Sequence, residues 1–194
     1  IGFVAGSVFK VPLVPTAHVE TREPVYKWIG RGRNRLIAVS QYIHGVLKGR
    51  GAKSESIDVV YNGTDFADAE VNEVEAVHME FGIPKDRKII GLVGRVAPEK
   101  GHHIALHALP QVLDSSPQTQ LLFVGRTDGD FHERLKEDAL KLGVEDHLTF
   151  TGNRTDVPRL FDAMTFSILP TVMESFGLAV IECMARGRPV VASN

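Results

Sequence analysis

From Lys88 to the end of the chain, short apolar runs alternate with helix-like segments without interruption, and this regularity narrows the fold more than any other feature. Lys88–Val93, Gln120–Val124, His147–Thr151, Thr165–Leu169 and Pro189–Ala192 read as strands. His102–Leu113, Phe131–Leu142, Thr155–Met164 and Gly177–Arg186 read as the helices between them. Ile89-Ile90-Gly91-Leu92-Val93 and Leu121-Leu122-Phe123-Val124 are apolar without alternation, as strands covered on both faces are. The punctuation agrees: Gly143 and Gly187 follow helical segments as C′ residues do, and Pro158 sits in a first helical turn. The pattern predicts an α/β fold built on a parallel sheet with helices on both sides.

The first 64 residues repeat this grammar on a smaller scale. Val11–Pro15, Leu36–Val39 and Ile57–Tyr61 read as strands, and Asn62-Gly63 as a turn. Ser40 is placed to cap a helix at Gln41–Lys48. Charge separates this part from the rest. Residues 1–64 hold nine Lys or Arg against four acids, whereas Asp65–Phe81 holds six acids and no Lys or Arg and reads as a solvated connecting helix. The expected organisation is therefore a partial N-terminal domain at 1–64, a connecting segment at 65–87 and a second domain at 88–194. The chain does not open on Met and closes on a β-branched run, so a fragment of a longer protein is expected.

Several function classes fall away. One cysteine, Cys183, cannot form an internal disulfide, and no Cys/His spacing suggests zinc. That suits a reducing compartment, and Cys183 beside Ile181 and Met184 reads as a packed thiol. A net charge of −2 does not suit a chain-wide nucleic-acid surface. No apolar run approaches the ~18–20 residues that span a bilayer.

In open parallel sheets ligands sit beyond the carboxyl ends of the strands, so the chemistry is read from the residues just after them. Gly94-Arg95-Val96-Ala97-Pro98-Glu99-Lys100-Gly101 follows the first strand of the second series. It is not a Walker loop, because the Lys precedes the second Gly and no Ser or Thr follows. By itself it is a surface turn with solvated cations, or a pair of cations for a diphosphate, Arg offering a planar fork and Lys a point charge. Glu174-Ser175-Phe176-Gly177-Leu178-Ala179-Val180-Ile181-Glu182 follows the Thr165–Leu169 strand. Its glycine lets the backbone approach a ligand, and the amides of Phe176–Ala179 begin a helix, where phosphate is well received. Alone, the two glutamates are also a helix-start acid and an exposed acid.

Together the two loops resemble the donor domain of the retaining family-four glycosyltransferases of GT-B fold, the group 1 glycosyltransferases. Phe123-Val124-Gly125, Thr149-Phe150-Thr151-Gly152, Leu169-Pro170-Thr171 and Gly187-Arg188-Pro189-Val190-Val191-Ala192 stand where that family has its strand-end signatures. Ala38-Val39-Ser40, Val60-Tyr61-Asn62-Gly63 and Pro15-Thr16-Ala17-His18 resemble its N-domain segments. The resemblance implies two Rossmann-like domains with a nucleotide sugar in the cleft between them. It implies that Arg95 and Lys100 neutralise the diphosphate, beside Gly94, and that Glu182 bonds the ribose. It further implies that Glu174 and the backbone of Ser175, Phe176 and Gly177 hold the sugar, and that the amides of Leu178 and Ala179 touch phosphate. The Gly152–Asp156 loop, with Arg154, then borders the nucleobase, and His18 lies near the sugar and acceptor. The implied reaction is retaining transfer from a nucleotide-diphosphate sugar to a glycan or lipid-linked acceptor in the cytoplasm, with no cofactor and no metal. The implied partners do not include nucleic acid.

Four features compete with this reading. Asp128-Gly129-Asp130 spells the Asp-x-Asp of metal-dependent glycosyltransferases, but a turn and helix start are expected there anyway. His103 and His107 share a helix face without the Glu of a zinc helix. Lys27, Trp28, Arg31, Arg33 and Arg35 form either a solvated basic face or a peripheral contact with anionic lipid on the inner membrane face. A nucleotide-sugar epimerase or a non-catalytic nucleotide-sugar-binding module would share the donor loops. The epimerase would want acid/base groups around the sugar, which Glu174 and Glu182 suit less well.

Overall fold

The structure is a computed structural model and describes residues 10–19, 26, 33–64, 73–127 and 129–193. It forms two compact units, one of Ile1–Gly63 with Glu174–Gly177, the other of Thr64–Met173 with Leu178–Asn194.

In the first unit three short parallel strands lie in the order β1 (Thr16–Ala17), β2 (Leu36–Ala38), β3 (Ile57–Val59). Helix α1 (Gln41–Gly49) follows β2, and Ser40 Oγ accepts from the Ile43 N–H at 3.2 Å, the predicted cap. Ile43 and Leu47 of this helix are buried with Leu36, Ala38 and Ile57. Val11–Pro15, predicted as a strand, is not one. Pro12 and Pro15 have no N–H to give to a ladder, so pairing begins at Thr16, opposite Ile37. Of the basic stretch, Lys27, Trp28 and Arg31 lie outside the described residues. Arg35 donates from Nε to Asp58 at 2.8 Å and from Nη1 to the Glu55 carbonyl at 2.6 Å. The hydrogen bond from Arg35 holds the Asp58 carboxyl below the usual carboxylate range, and it engages one cation of that face within the unit.

The second unit begins with α2 (Val74–Glu80), the described part of the connecting helix expected at Asp65–Phe81; residues 65–72 lie outside the described residues. Then follow β4 (Lys88–Val93), α3 (His102–Ser115), β5 (Thr119–Val124), α4 (Asp130–Leu142), β6 (Leu148–Gly152), α5 (Val157–Ala163), β7 (Met164–Leu169), α6 (Leu178–Ala185) and β8 (Val190–Ala192). All five strands pair in parallel, in the order β6-β5-β4-β7-β8. The strand order turns back at β4 and β7, so the switch point lies between their carboxyl ends.

Successive residues of a strand face opposite sides, and the apolar runs serve two cores. Ile90, Leu92, Leu121 and Phe123 pack with Leu106 and Leu109 of α3 and Leu135 of α4. Ile89, Leu122, Val124 and Met164 pack with Val77 of α2, Leu160 and Phe161 of α5 and Cys183 of α6. Cys183 is the packed thiol expected, and burial pushes its pKa up. Gly143 ends α4 at φ +66, in the left-handed C′ geometry. Asp162 of α5 receives a two-pronged bond from Arg186, with Nε at 2.9 Å, which ties α5 to the far end of α6. Among the described residues no helix is long and apolar enough to cross a membrane.

One polar group sits inside the first of these cores. His102, the opening residue of α3, is 0% exposed, its ring edge-on to Phe123 with centroids 4.7 Å apart. Burial pushes its pKa down to about 4, and the Ala97 backbone offsets only part of this. The folded state therefore holds His102 neutral, while an unfolded chain takes up a proton below the ordinary histidine value of 6.5. Unfolding gains a proton in that window, so stability falls as pH drops from about 6.5 towards 4. Between pH 7.5 and 5 the loss from this group is about 2 kcal/mol. Urea titrations at both pH values should show that much extra acid sensitivity in the wild type over His102→Leu, which has nothing to protonate.

Candidate nucleotide site

Three neighbouring strands of the second unit end alike. Val93-Gly94-Arg95 closes β4, Val124-Gly125-Arg126 closes β5, and Gly152-Asn153-Arg154 closes β6. These loops, with Val157 at the start of α5, line a cavity of about 410 Å³. Its apolar lining is Val93, Val124 and Val157 with the two glycines, and its polar lining is Arg95, Arg126, Asn153 and Arg154. Three arginines on one cavity lining suit an anionic or acceptor-rich ligand, because arginine only donates.

The cavity is held by backbone bonds that continue past the strands. Gly94 N–H donates to the Val124 carbonyl at 2.8 Å, Gly125 N–H to the Gly152 carbonyl at 3.0 Å, and Val96 N–H to the Arg126 carbonyl at 2.9 Å. Gly125 adopts φ +149, and a Cβ there would overlap the Gly94 carbonyl oxygen. Only glycine allows β4 and β5 to run this close at their ends.

The predicted cation loop is folded back on itself. A turn at Pro98–Lys100 leads into Gly101 at φ +75, where a Cβ would overlap the Pro170 carbonyl oxygen. The Glu99 carbonyl accepts from Thr171 Oγ1 at 2.8 Å and from Val172 N–H at 2.9 Å, joining the loop after β4 to the loop after β7. Arg95 pairs through Nη2 with the Glu99 carboxylate four residues on. The Lys100 stem lies against Gly94, its Cδ 3.9 Å from where a Cβ of Gly94 would stand. Gly94, Arg95 and Lys100 are thus brought together, as the sequence suggests, with Glu99 as an internal counter-ion that the sequence reading did not assign.

Arg154 is fastened on several sides. Its Nε and Nη2 donate to the two oxygens of Asp156 at 2.8 and 2.7 Å, and Nη2 also meets Glu80 of α2 at 2.9 Å. Its guanidinium carbon lies over the Phe81 ring, 5.5 Å from the centroid. Hydrogen bonds from Arg154 hold the Asp156 carboxyl down at about 2.

Of the other predicted residues, Leu178 and Ala179 open α6, and Glu182 lies in its second turn, partly buried. Burial raises the Glu182 pKa above the usual carboxylate value. His18, Glu174, Ser175, Phe176 and Gly177 belong to the first unit. His18 is exposed directly after β1, and Glu174 accepts from the Ser175 N–H at 3.0 Å. Phe176 packs on the core of that unit, its ring 6.1 Å from that of Tyr61.

Asp130 is the first residue of α4, and Asp128 lies outside the described residues. His107 is bonded through Nδ1 to the His103 carbonyl at 2.7 Å. Among the described residues no group of three His, Cys, Asp or Glu is placed to hold a metal. Sequence reasoning missed Arg126, although the repeated Val-Gly-Arg at two strand ends was a usable signal. It also missed Glu80 and Phe81, for which local sequence offers none.

A parallel sheet with strand order 3-2-1-4-5 and a basic cavity at its carboxyl edge defines a Rossmann-like α/β unit. The chain belongs to the group 1 glycosyl transferases, whose family model matches residues 73–194, and its fold is of the GT-B type. It is 30% identical to a D-inositol 3-phosphate glycosyltransferase of Segniliparus rotundus, over the whole of this chain and 48% of the relative. Among solved structures it resembles Anabaena HepE in complex with UDP and glucose, with TM-score 0.86 and 27% identity over 98% of this chain and 55% of that one. WaaG, a glycosyltransferase involved in lipopolysaccharide biosynthesis, shares the fold at TM-score 0.74 and 22% identity, over 83% of this chain and 44% of WaaG. The chain spans about half the length of the curated relatives it matches.

The close approach of β4 and β5 is testable apart from any ligand. Gly125→Ala should lower stability by more than Gly143→Ala, because both glycines have positive φ but only Gly125 lacks room for a methyl group. Left-handed strain alone costs about 1 kcal/mol, and the overlap should add about 1–3 kcal/mol. Equal melting temperatures for the two variants would mean that the strand ends can separate freely.

Proposed function

We propose that this chain carries the nucleotide-sugar donor site of a retaining, metal-independent glycosyltransferase whose acceptor is a glycan or lipid-linked sugar. The observation that carries the reading is the basic cavity where β4, β5 and β6 end, with Arg95 and Arg154 on its lining and Lys100 alongside. Membership of the family supports the reaction class, and the UDP and glucose bound by Anabaena HepE support a nucleotide sugar as donor.

Charge supplies the mechanism. Breaking the sugar–phosphate bond develops negative charge on a nucleoside diphosphate. Arg95 and Lys100 meet that charge as preorganised cations, and the Leu178 and Ala179 amides at the start of α6 add the positive end of a helix. These fixed charges serve where other glycosyltransferases use a divalent ion. Glu182 accepts the ribose hydroxyls. Glu174 and the Ser175–Gly177 backbone hold the sugar, and His18 serves the sugar and acceptor. None of these residues needs to attack the sugar covalently, which suits front-side transfer with retention.

Titration calorimetry with UDP, GDP and ADP tests the donor site directly. Arg95→Ala and Lys100→Ala should each weaken the preferred nucleoside diphosphate by about tenfold or more, the scale of one charged hydrogen bond. Binding at wild-type strength in either variant would remove the diphosphate assignment. Excess chelator should leave the affinity unchanged, whereas loss of binding restored by Mn²⁺ or Mg²⁺ would overturn metal independence.

The two glutamates separate on the same instrument. Glu182→Gln should weaken the nucleoside diphosphate by roughly 1–2 kcal/mol, whereas Glu174→Gln should leave it nearly unchanged, because that ligand lacks the sugar. Equal weakening would mean the two roles are wrongly assigned. Because the ionised Glu182 is the better acceptor and its pKa is raised by burial, affinity should fall as acid protonates it. The fall should begin at a higher pH than for an ordinary surface glutamate, near ~4.3, and the extra acid sensitivity should vanish in Glu182→Gln.

A further inference from the structure

The setting of Arg154 goes beyond its presence in the cavity. Asp156 and Glu80, which both bind it, are themselves bound by a second arginine. Arg159 Nη1 reaches Glu80 at 2.6 Å and Asp156 at 3.1 Å, and its Nε reaches Glu73 at 2.6 Å. Arg154, Asp156, Arg159 and Glu80 therefore form a closed ring in which each carboxylate bridges two guanidiniums. Arg154 and Asp156 come from the loop before α5, Arg159 from α5 itself, and Glu80 from α2, more than seventy residues earlier in the chain. Phe81, the next residue, lies beneath the Arg154 guanidinium.

A surface ion pair stabilises little because two mobile side chains must be ordered. A closed ring on partly buried groups orders them together, since each bond fixes a group that the next bond uses. Arg154 and Arg159 are only 24% and 18% exposed. The ring also decides what Arg154 can offer a ligand. Its Nε and Nη2 are spent on carboxylates, its guanidinium carbon lies over the Phe81 ring, and the same residue lines the cavity.

We propose that Glu80 and Phe81, with Asp156 and Arg159, are positioning residues for donor binding: they hold Arg154 as a fixed flat plate against which the base of the nucleotide rests. The proposal rests on the donor-site reading above and adds to it a set of residues, on α2 and beyond, that never touch the ligand. A planar cation that is already immobilised loses little further freedom when a base settles on it. A plate recognises the base by its surface rather than by a hydrogen-bonding edge, so the ring should matter only for ligands that carry a base.

Calorimetry on the chain with UDP, GDP and inorganic pyrophosphate tests this. Glu80→Gln keeps the shape of the side chain, and Phe81→Leu keeps an apolar contact. Each should weaken the better nucleoside diphosphate by about three- to tenfold, the scale of a charged hydrogen bond becoming neutral. Pyrophosphate, which has no base, should bind these variants as it binds the wild type. Arg154→Ala should give the same base-dependent loss, and Glu80→Gln should add nothing in that background, as expected when one residue acts through the other. Equal losses for pyrophosphate and nucleotide, no loss for either, or full additivity with Arg154→Ala would each overturn the proposal. A wild-type chain that binds no nucleoside diphosphate would overturn the donor-site reading itself. That outcome is distinct from a wild type that binds well and variants that bind equally well.

Discussion

The second unit depends on a backbone ladder that does not stop where the strands do. Gly94 and Gly125 pass their N–H groups to the Val124 and Gly152 carbonyls, and Val96 passes its own to Arg126. These bonds hold three chain ends side by side at the carboxyl edge of the sheet. Without them the three arginines that follow would be long cations on separate loops. With them, Arg95, Arg126 and Arg154 surround one cavity. The packing on either side serves the same end, since the two cores fix the strands from both faces and leave the loops as the free variable.

Charge at this edge is managed by pairing inside the molecule. Arg95 is matched by Glu99, and Arg154 by Asp156 and Glu80. The two pairings differ in kind. The Arg95–Glu99 pair is exposed and lies within one turn of chain, so it is cheap to break and leaves the cation available for exchange. The Arg154 pairings are multiple and partly buried, so they fix the residue in place. One arginine is thus poised to change partners and the other to keep them.

The strands of the second unit were legible because a parallel sheet buried on both faces writes itself as unbroken apolar runs, and Lys88–Val93 is the strand at the predicted bounds. The loop motifs were legible for a similar reason: Gly94-Arg95 and Lys100-Gly101 sit within eight residues of one another, and the turn between them is local. Val11–Pro15 misled because its apolar content suits a strand while two prolines withhold the N–H groups that pairing needs. Glu80 was read only as one acid among six in a solvated helix. Its role as a partner of Arg154 and Arg159 depends on how α2 packs against α5, a contact between distant parts of the chain that no local pattern announces. His102 was hidden likewise: a histidine beside Lys100 and Gly101 looks exposed by sequence, and only the fold turns it inward against Phe123.

The Glu99 carbonyl, which takes one bond from the Thr171 hydroxyl and one from the Val172 amide, has a consequence for motion. The loops after β4 and β7 flank the point where the strand order turns back, and segments in such places usually open independently and at little cost. Here a single acceptor fastens both, so either loop can detach only by leaving that oxygen or by taking the other with it. Opening of either loop is therefore linked to the breaking of this joint. Hydrogen exchange at the Val172 amide would record the lifetime of that joint between the two loops.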